Sequence, residues 1–225
     1  WQQMNGPYGG FISQMITGNN GCVCAATDFG GLYVSNDFGK HWTERVDNWI
    51  VGLAVNKRGK LFAGGIGSMN TSTDDGITWT SVSPPEFSGM LISAIAIDSS
   101  NRVYVGGYNG LFRSDNDGKS WIPINSGLEN LTANYPFCLA AGPEGVVYAG
   151  FLEGICRTTD YGTHWSQIND GIPSDSREMR SIVITKSGYV LAATYIMGVF
   201  RSTIYGDSWV EVLDDKSFSL TIDKS

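Results

Sequence analysis

The chain has no run of 18 apolar residues, so nothing in it reads as a membrane-spanning helix. It has only two histidines, His41 and His164, and no Cys-x-x-Cys pair among its four cysteines. A metal centre built on those spacings is not expected, and nothing else calls for a cofactor. Cys22 and Cys24 stand two apart on one strand face, in poor geometry for bonding each other. With Cys138 and Cys156 they are expected as buried free thiols, which leaves the compartment open. Positive charge is scarce: 15 Lys and Arg stand against 22 Asp and Glu, a net charge of −7. No basic stripe or acidic tail forms, which argues against nucleic acid and against an anionic membrane as partner. No stretch shows sustained helical periodicity. The chain opens on Trp1, with no signal peptide, as an excised domain or a processed secreted protein would.

What is present is glycine, tryptophan and repetition. With 29 Gly and seven Trp, the 225 residues suit many short strands and tight turns around one sizeable core. The skeleton Ser35-x-Asp37-x-Gly39-x-x-Trp42 returns as Ser72-x-Asp74-x-Gly76-x-x-Trp79 and, with an amide for the acid, as Ser114-x-Asn116-x-Gly118-x-x-Trp121. Thr158-x-Asp160-x-Gly162-x-x-Trp165 trades the hydroxyl residue, and Ser202-x-Ile204-x-Gly206-x-x-Trp209 has lost the acid. The tryptophans lie 37, 42, 44 and 44 residues apart, a period that signals a repeat architecture. In each copy the Asp or Asn oxygen can close a turn on backbone N–H groups. The Gly takes the positive φ such a turn demands, and the Trp starts the next strand against the unit's core.

Around each turn, four strands are legible. Innermost strands are expected at 12–17, 50–55, 92–97, 137–141 and 181–185, each followed by a polar turn and an alternating second strand. A Gly-rich loop leads to the third strand, and the fourth begins at the Trp. The expected units run approximately 11–46, 49–83, 90–125, 136–169 and 179–213, within one domain of residues 1–225. Residues 217–223 repeat the innermost-strand pattern of a further unit, and 1–7 resemble the tail of a fourth strand. Both a closed ring of five and a share of a larger ring remain open.

The repeated skeleton resembles the Asp-box, or BNR repeat, of β-propellers, over residues of about 11 to 211. The resemblance implies an all-β propeller of four-stranded antiparallel blades, five complete blade motifs plus partial end strands. It also implies that the Asp-box hairpins are staples on the outer rim, so Asp37, Asp74 and Asp160 are turn residues by default. Radial repetition then acts as a filter, because equivalent rim residues diverge and only those near the axis converge. His41 and His164 share one position and cannot form a triad or a metal pair. Sialidases, which share the Asp-box, clamp a carboxylate with converging arginines. Arg113, Arg157 and Arg201 repeat one position and should not converge.

What remains is the loops between second and third strands, with the connections between units. They carry Asp28, Phe29, Tyr108, Asn109, Phe151, Glu153 and Tyr195, joined by Trp49, Phe87 and Tyr135 from the connections. Rigid aromatics beside Asn, Asp and Glu suit stacking on the apolar face of a sugar, though such rings also pack between blades. Gly9-Gly-Phe-Ile12 and Ala26-Thr-Asp-Phe-Gly-Gly-Leu-Tyr33 are similar to the first blade of the xyloglucan-cleaving endoglucanases of glycoside hydrolase family 74. That resemblance implies a catalytic carboxylate at Asp28, paired in those enzymes with an Asp of another propeller domain. Glycoside hydrolysis needs two such groups, commonly about 5–10 Å apart. The reading favoured is a non-catalytic extracytoplasmic module, periplasmic, cell-surface or secreted, that binds a glycan or protein ligand through this loop face. It is similar to bacterial stand-alone or sensor-domain propellers. The alternatives are a family 74-like hydrolase, whole or in part, and an assembly factor like the photosynthetic Asp-box propellers.

Overall fold

The computed structural model describes residues 6–7, 10–28, 30–131, 135–203, 205–216 and 219–222. It comprises two compact units, residues 1–97 and 98–225. Twenty strands form five four-stranded antiparallel sheets, each ordered as in the sequence. The first holds β1 (Ile12–Thr17), β2 (Val23–Thr27), β3 (Gly31–Ser35) and β4 (Thr43–Val46). The second holds β5 (Ile50–Val55), β6 (Leu61–Gly65), β7 (Met69–Ser72) and β8 (Thr80–Val82). The third holds β9 (Ile92–Ile97), β10 (Val103–Gly107), β11 (Gly110–Ser114) and β12 (Ile122–Pro123). In the fourth are β13 (Cys138–Ala141), β14 (Val147–Phe151), β15 (Gly154–Thr158) and β16 (Ser166–Gln167). In the fifth are β17 (Met179–Ile184), β18 (Val190–Thr194), β19 (Gly198–Ser202) and β20 (Val210–Leu213). Helix among the described residues is limited to two three-residue 3₁₀ turns, Pro85–Phe87 and Ser174–Ser176.

The second and third strands carry the core. β3, β6, β10 and β14 are buried along their whole length, whereas β4, β8, β12 and β20 are exposed edge strands. In the first unit, β5 packs beside both β1 and β9, and in the second β13 packs beside β17. Gln14 ties β1 to β5 by donating to the Leu53 carbonyl (3.2 Å) and accepting the Leu53 N–H (2.6 Å). In the second unit the Leu220 N–H likewise donates to Ser181 Oγ (3.1 Å), again 39 residues apart. No strand is assigned over 219–222. The rest of the 217–223 expectation, and the Trp1–Asn5 part of the other, lie outside the described residues.

The repeat turn closes as its residue types require. Ser35 Oγ donates to Asp37 Oδ1 (2.9 Å) and accepts the Gly39 N–H (2.8 Å), while Asp37 Oδ1 accepts the His41 N–H (2.9 Å). The second turn repeats this with Ser72, Asp74, Gly76 and Thr78. In the third, Asn116 Oδ1 accepts the Ser120 N–H as an acid would (2.9 Å). In the fifth, which lacks the acid, Ser202 Oγ turns instead to the Ser208 carbonyl. Two features were not legible. In the first four turns the residue before the Gly is also left-handed, with φ of 61° at Phe38, 56° at Asp75, 58° at Asp117 and 61° at Tyr161.

The tryptophans also divide. Trp42 and Trp79 donate their indole N–H within their own turns, to Gly39 and Gly76 carbonyls (both 3.0 Å). Trp165 and Trp209 instead reach the preceding sheet, donating to Ile124 and Ile168 carbonyls (both 2.7 Å). The indole N–H of these two thus leaves its own turn, while Trp209 still lies in one core cluster with Val190, Ala192 and Phe200 of its own sheet. Ile124 and Ile168 each open an Ile-Asn-x-Gly stretch, which no earlier unit carries.

Ionised turn acids make the fold acid-sensitive. Hydrogen bonds from the Thr78 hydroxyl and N–H, then Ser72, push Asp74 down to about 2. The His41 N–H and ring hold Asp37 well below the usual carboxylate range. A carboxylate depressed in the folded state stabilises above its unfolded pKa near 3.9, and that support is lost as pH falls through the folded value. The urea midpoint should therefore drop between about pH 4 and 2. Asp74→Asn, which keeps the acceptor oxygen as Asn116 does, should flatten that drop. An unchanged acid limb in the variant would assign it elsewhere.

All four cysteines are free, and Cys22, Cys24 and Cys156 are buried. Burial pushes the Cys24 and Cys156 thiols up to about 12, so both stay protonated and unreactive.

Candidate functional site

The loops between second and third strands are two- or three-residue turns, and register decides which side chains they present. In the second unit Gly107 pairs Gly110, Phe151 pairs Gly154 and Thr194 pairs Gly198. The presented residues are thus Tyr108 and Asn109, Leu152 and Glu153, and Tyr195 with its neighbours. Tyr108 is 56% exposed and Tyr195 41%. Phe151 belongs to the strand, and its side chain is wholly buried. It is a core residue, so its expected place among open loop aromatics is corrected. Leu152 stands at the equivalent position, 43% exposed. Phe87 is likewise buried.

The exposed rings of the second unit do not stand alone. Tyr108 meets Tyr135 edge to face (centroids 4.7 Å apart), and Tyr135 meets Phe137 the same way (5.4 Å). The guanidinium of Arg180 lies 5.3 Å from the Phe137 ring and 4.6 Å from the Tyr195 ring. Tyr108, Tyr135, Phe137, Arg180 and Tyr195 therefore form one continuous row across three consecutive sheets. Arg180 is ion-paired with Glu178, whose carbonyl accepts the Tyr195 N–H (2.9 Å). The row therefore carries little net charge, and its ring geometry is fixed by backbone and ion pair alike. Phe137, Glu178 and Arg180 were not singled out from the sequence. One signal was present: Arg180 is the only charged residue in the five innermost strands.

Beyond Glu178 the connection from β16 to β17 borders a polar hollow of about 550 Å³. Gln167, Asn169, Asp170, Gly171, Pro173 and Arg177 line it, with Ile172. Its walls are pinned. The Gln167 and Asn169 amides both donate to the Glu153 carbonyl (3.1 and 3.0 Å), and Asn169 Oδ1 accepts the Ile155 N–H (2.9 Å). Arg177 donates through Nε and one terminal nitrogen to the Ile172 carbonyl (both 3.2 Å).

The first unit holds the remaining candidates. Asp28 lies in the turn after β2, its N–H donated to the Phe11 carbonyl (2.8 Å). Gly10 has φ +118° there, and a Cβ would stand 2.7 Å from the Asp28 carbonyl oxygen, which explains a glycine ahead of Phe11. No hydrogen bond or ion pair engages the Asp28 carboxylate among the described residues. Phe29 lies outside them. Trp49 is half-buried beside Asn48, whose side chain accepts its N–H (2.8 Å). The rim arginines are engaged by separate partners: Arg113 donates to the Tyr161 carbonyl and Arg157 to Asp207 (3.1 Å), while Arg201 stacks on Tyr189. His41 is held by Asp37 (2.6 Å), and His164 lies 3.5 Å from Ser126 Oγ.

Five four-stranded antiparallel sheets in sequence, with almost no helix among the described residues, define an all-β propeller. Solved structures of that class are similar to this chain. An ancestral GH74 enzyme matches with a TM-score of 0.76 at 21% identity, over 94% of this chain and 32% of its own. Virginiamycin B lyase from Staphylococcus aureus matches at 0.74 and 15% identity, over 93% and 73%. The extracellular domain of a putative hybrid two-component system from B. thetaiotaomicron matches at 0.71 and 13%, over 92% and 28%. This chain thus spans about a third of the GH74 enzyme's length. No protein-family model matches it, and no curated protein does.

Proposed function

We propose that the chain is a non-catalytic, extracytoplasmic Asp-box propeller module whose second unit binds a glycan along the row from Tyr108 to Tyr195. The observation that carries this is the row itself: open rings, fixed in geometry and nearly neutral, matching the apolar face of pyranose rings. Extracytoplasmic placement is supported by the extracellular sensor-domain neighbour.

A hydrolase reading has one observation in its favour, the carboxylate of Asp28 without a bonding partner on a turn similar to that of the family 74 enzymes. Its second acid would have to come from elsewhere. The deciding experiment is incubation with β-glucan and xyloglucan oligosaccharides, read by reducing-end release, beside a binding titration on the same panel. We expect no release, and binding that weakens about tenfold in Tyr195→Ala and in Tyr108→Ala. Hydrolysis lost in Asp28→Asn would establish the enzyme instead. Binding indifferent to both tyrosine changes would remove the row as the site.

A further inference from the structure

The hollow beside the row has a sister turn in the same unit, already filled. Asn125-Ser-Gly-Leu-Glu129 follows β12 as Asn169-Asp-Gly-Ile-Pro173 follows β16. The two turns share a frame. Leu128 and Ile172 N–H groups donate back to Asn125 and Asn169 carbonyls (3.1 and 2.9 Å), and both apolar side chains are buried. Asn125 and Asn169 side chains accept the Leu111 and Ile155 N–H groups (2.7 and 2.9 Å). Trp165 and Trp209 N–H groups close onto the Ser126 and Asp170 carbonyls (2.9 and 2.8 Å).

They differ at one point. In the first turn both Glu129 carboxylate oxygens accept the Gly127 N–H (3.0 Å each). In the second, proline stands where that glutamate would be, so the chain supplies no carboxylate from position 173. The Gly171 N–H has no acceptor among the described residues, and Gly171 is exposed in the hollow. Arg177 lines the same space. Its Nε and one terminal nitrogen are held by Ile172, and it forms no ion pair among the described residues. A donor that the sister turn satisfies with a carboxylate thus lies open beside a fixed, unpaired guanidinium, the side chain best shaped for carboxylate.

We infer that the hollow is a carboxylate subsite formed by the Gly171 N–H and Arg177, so that the glycan bound on the adjoining row is one bearing uronic acid. This rests on the glycan reading of the row, which it narrows. Glu178 joins the two features, following Arg177 in sequence and holding both Arg180 and Tyr195. Other charges oppose the assignment in part. Asp170 and Asp175 are exposed nearby, and their repulsion is screened by salt, whereas Arg177 is half-buried. Asp170 therefore provides a test of sign: a carboxylate ligand is repelled by it, and a neutral sugar would be gripped through its hydroxyls.

The experiment titrates the protein with trigalacturonic acid and with its methyl ester, which differ only in the charged group. The acid should bind at least about tenfold more tightly, the worth of one charge-assisted contact. Arg177→Gln should erase that preference while leaving ester binding in place. Asp170→Asn, an exposed and isosteric change with no bearing on the fold, should tighten the acid. Equal binding of acid and ester, lost in Tyr195→Ala, would overturn the carboxylate subsite and leave the row standing. Weakened binding in Asp170→Asn would overturn it as well. Failure of both probes to bind would overturn the subsite, and binding of the neutral β-glucan panel would then still uphold the row.

Discussion

Trp165→Ala should destabilise the protein by roughly 3–5 kcal/mol, the range for a large buried aromatic. Trp165 is 1% exposed, and its indole N–H and its backbone N–H both bond the preceding sheet, at Ile124 and Ser126. Truncation leaves a cavity and strands the Ile124 carbonyl, which places the loss toward the upper end of that range. Trp42, in the same motif position, is only half-buried and bonds its own turn, so Trp42→Ala should cost under about 2 kcal/mol. Urea denaturation of the two variants checks this. Equal losses would mean that the reach into the preceding sheet contributes nothing.

Gly127→Ala should be comparably damaging, at about 3 kcal/mol or more, although it adds a single methyl group. Gly127 has φ +91°, a left-handed conformation that costs an alanine about 1–2 kcal/mol by itself. The added Cβ would also stand 2.2 Å from the Trp165 carbonyl oxygen, a backbone atom that cannot swing aside. Gly89 separates the two causes: its φ is +68° but nothing lies within 4 Å, so Gly89→Ala should show the conformational cost alone. Because Gly127 and Trp165 share one interface, the double variant should lose less than the sum of the singles. Strict additivity would mean that the two residues act on different elements.

These variants mark where the sequence could be read and where it could not. The repeat turn was legible because Ser, Asp, Gly and Trp each do a local job at fixed spacing. The innermost strands at 12–17, 50–55 and 92–97 followed from short apolar stretches ended by polar turns. The direction of a Trp was not legible, since Trp42 and Trp165 sit in nearly the same motif. What separates them is Ile124-Asn-x-Gly127, more than 35 residues earlier, and only packing brings it into contact. Phe151 failed for a smaller reason. A slip of one residue in a strand exchanges inside for outside, so Leu152 stands where a ring was expected. The row itself needed spatial neighbours: Arg180 was visible as a lone charge in an apolar strand, but not the rings that flank it.

The repeat turns have a polarity. Gly76 is seated on Val34 of the preceding sheet, Gly162 on Ile124, and Gly206 on Ile168. Gly39 in the first sheet meets only its own Trp42, and Phe38 beside it is 83% exposed. Within each unit, support therefore passes along the chain in one direction, as courses of brick rest on the course below. Damage at Ile124 is felt by the fourth sheet through Gly162 and Trp165. The first sheet holds up the second through Val34, so damage at Val34 is felt by the second sheet through Gly76.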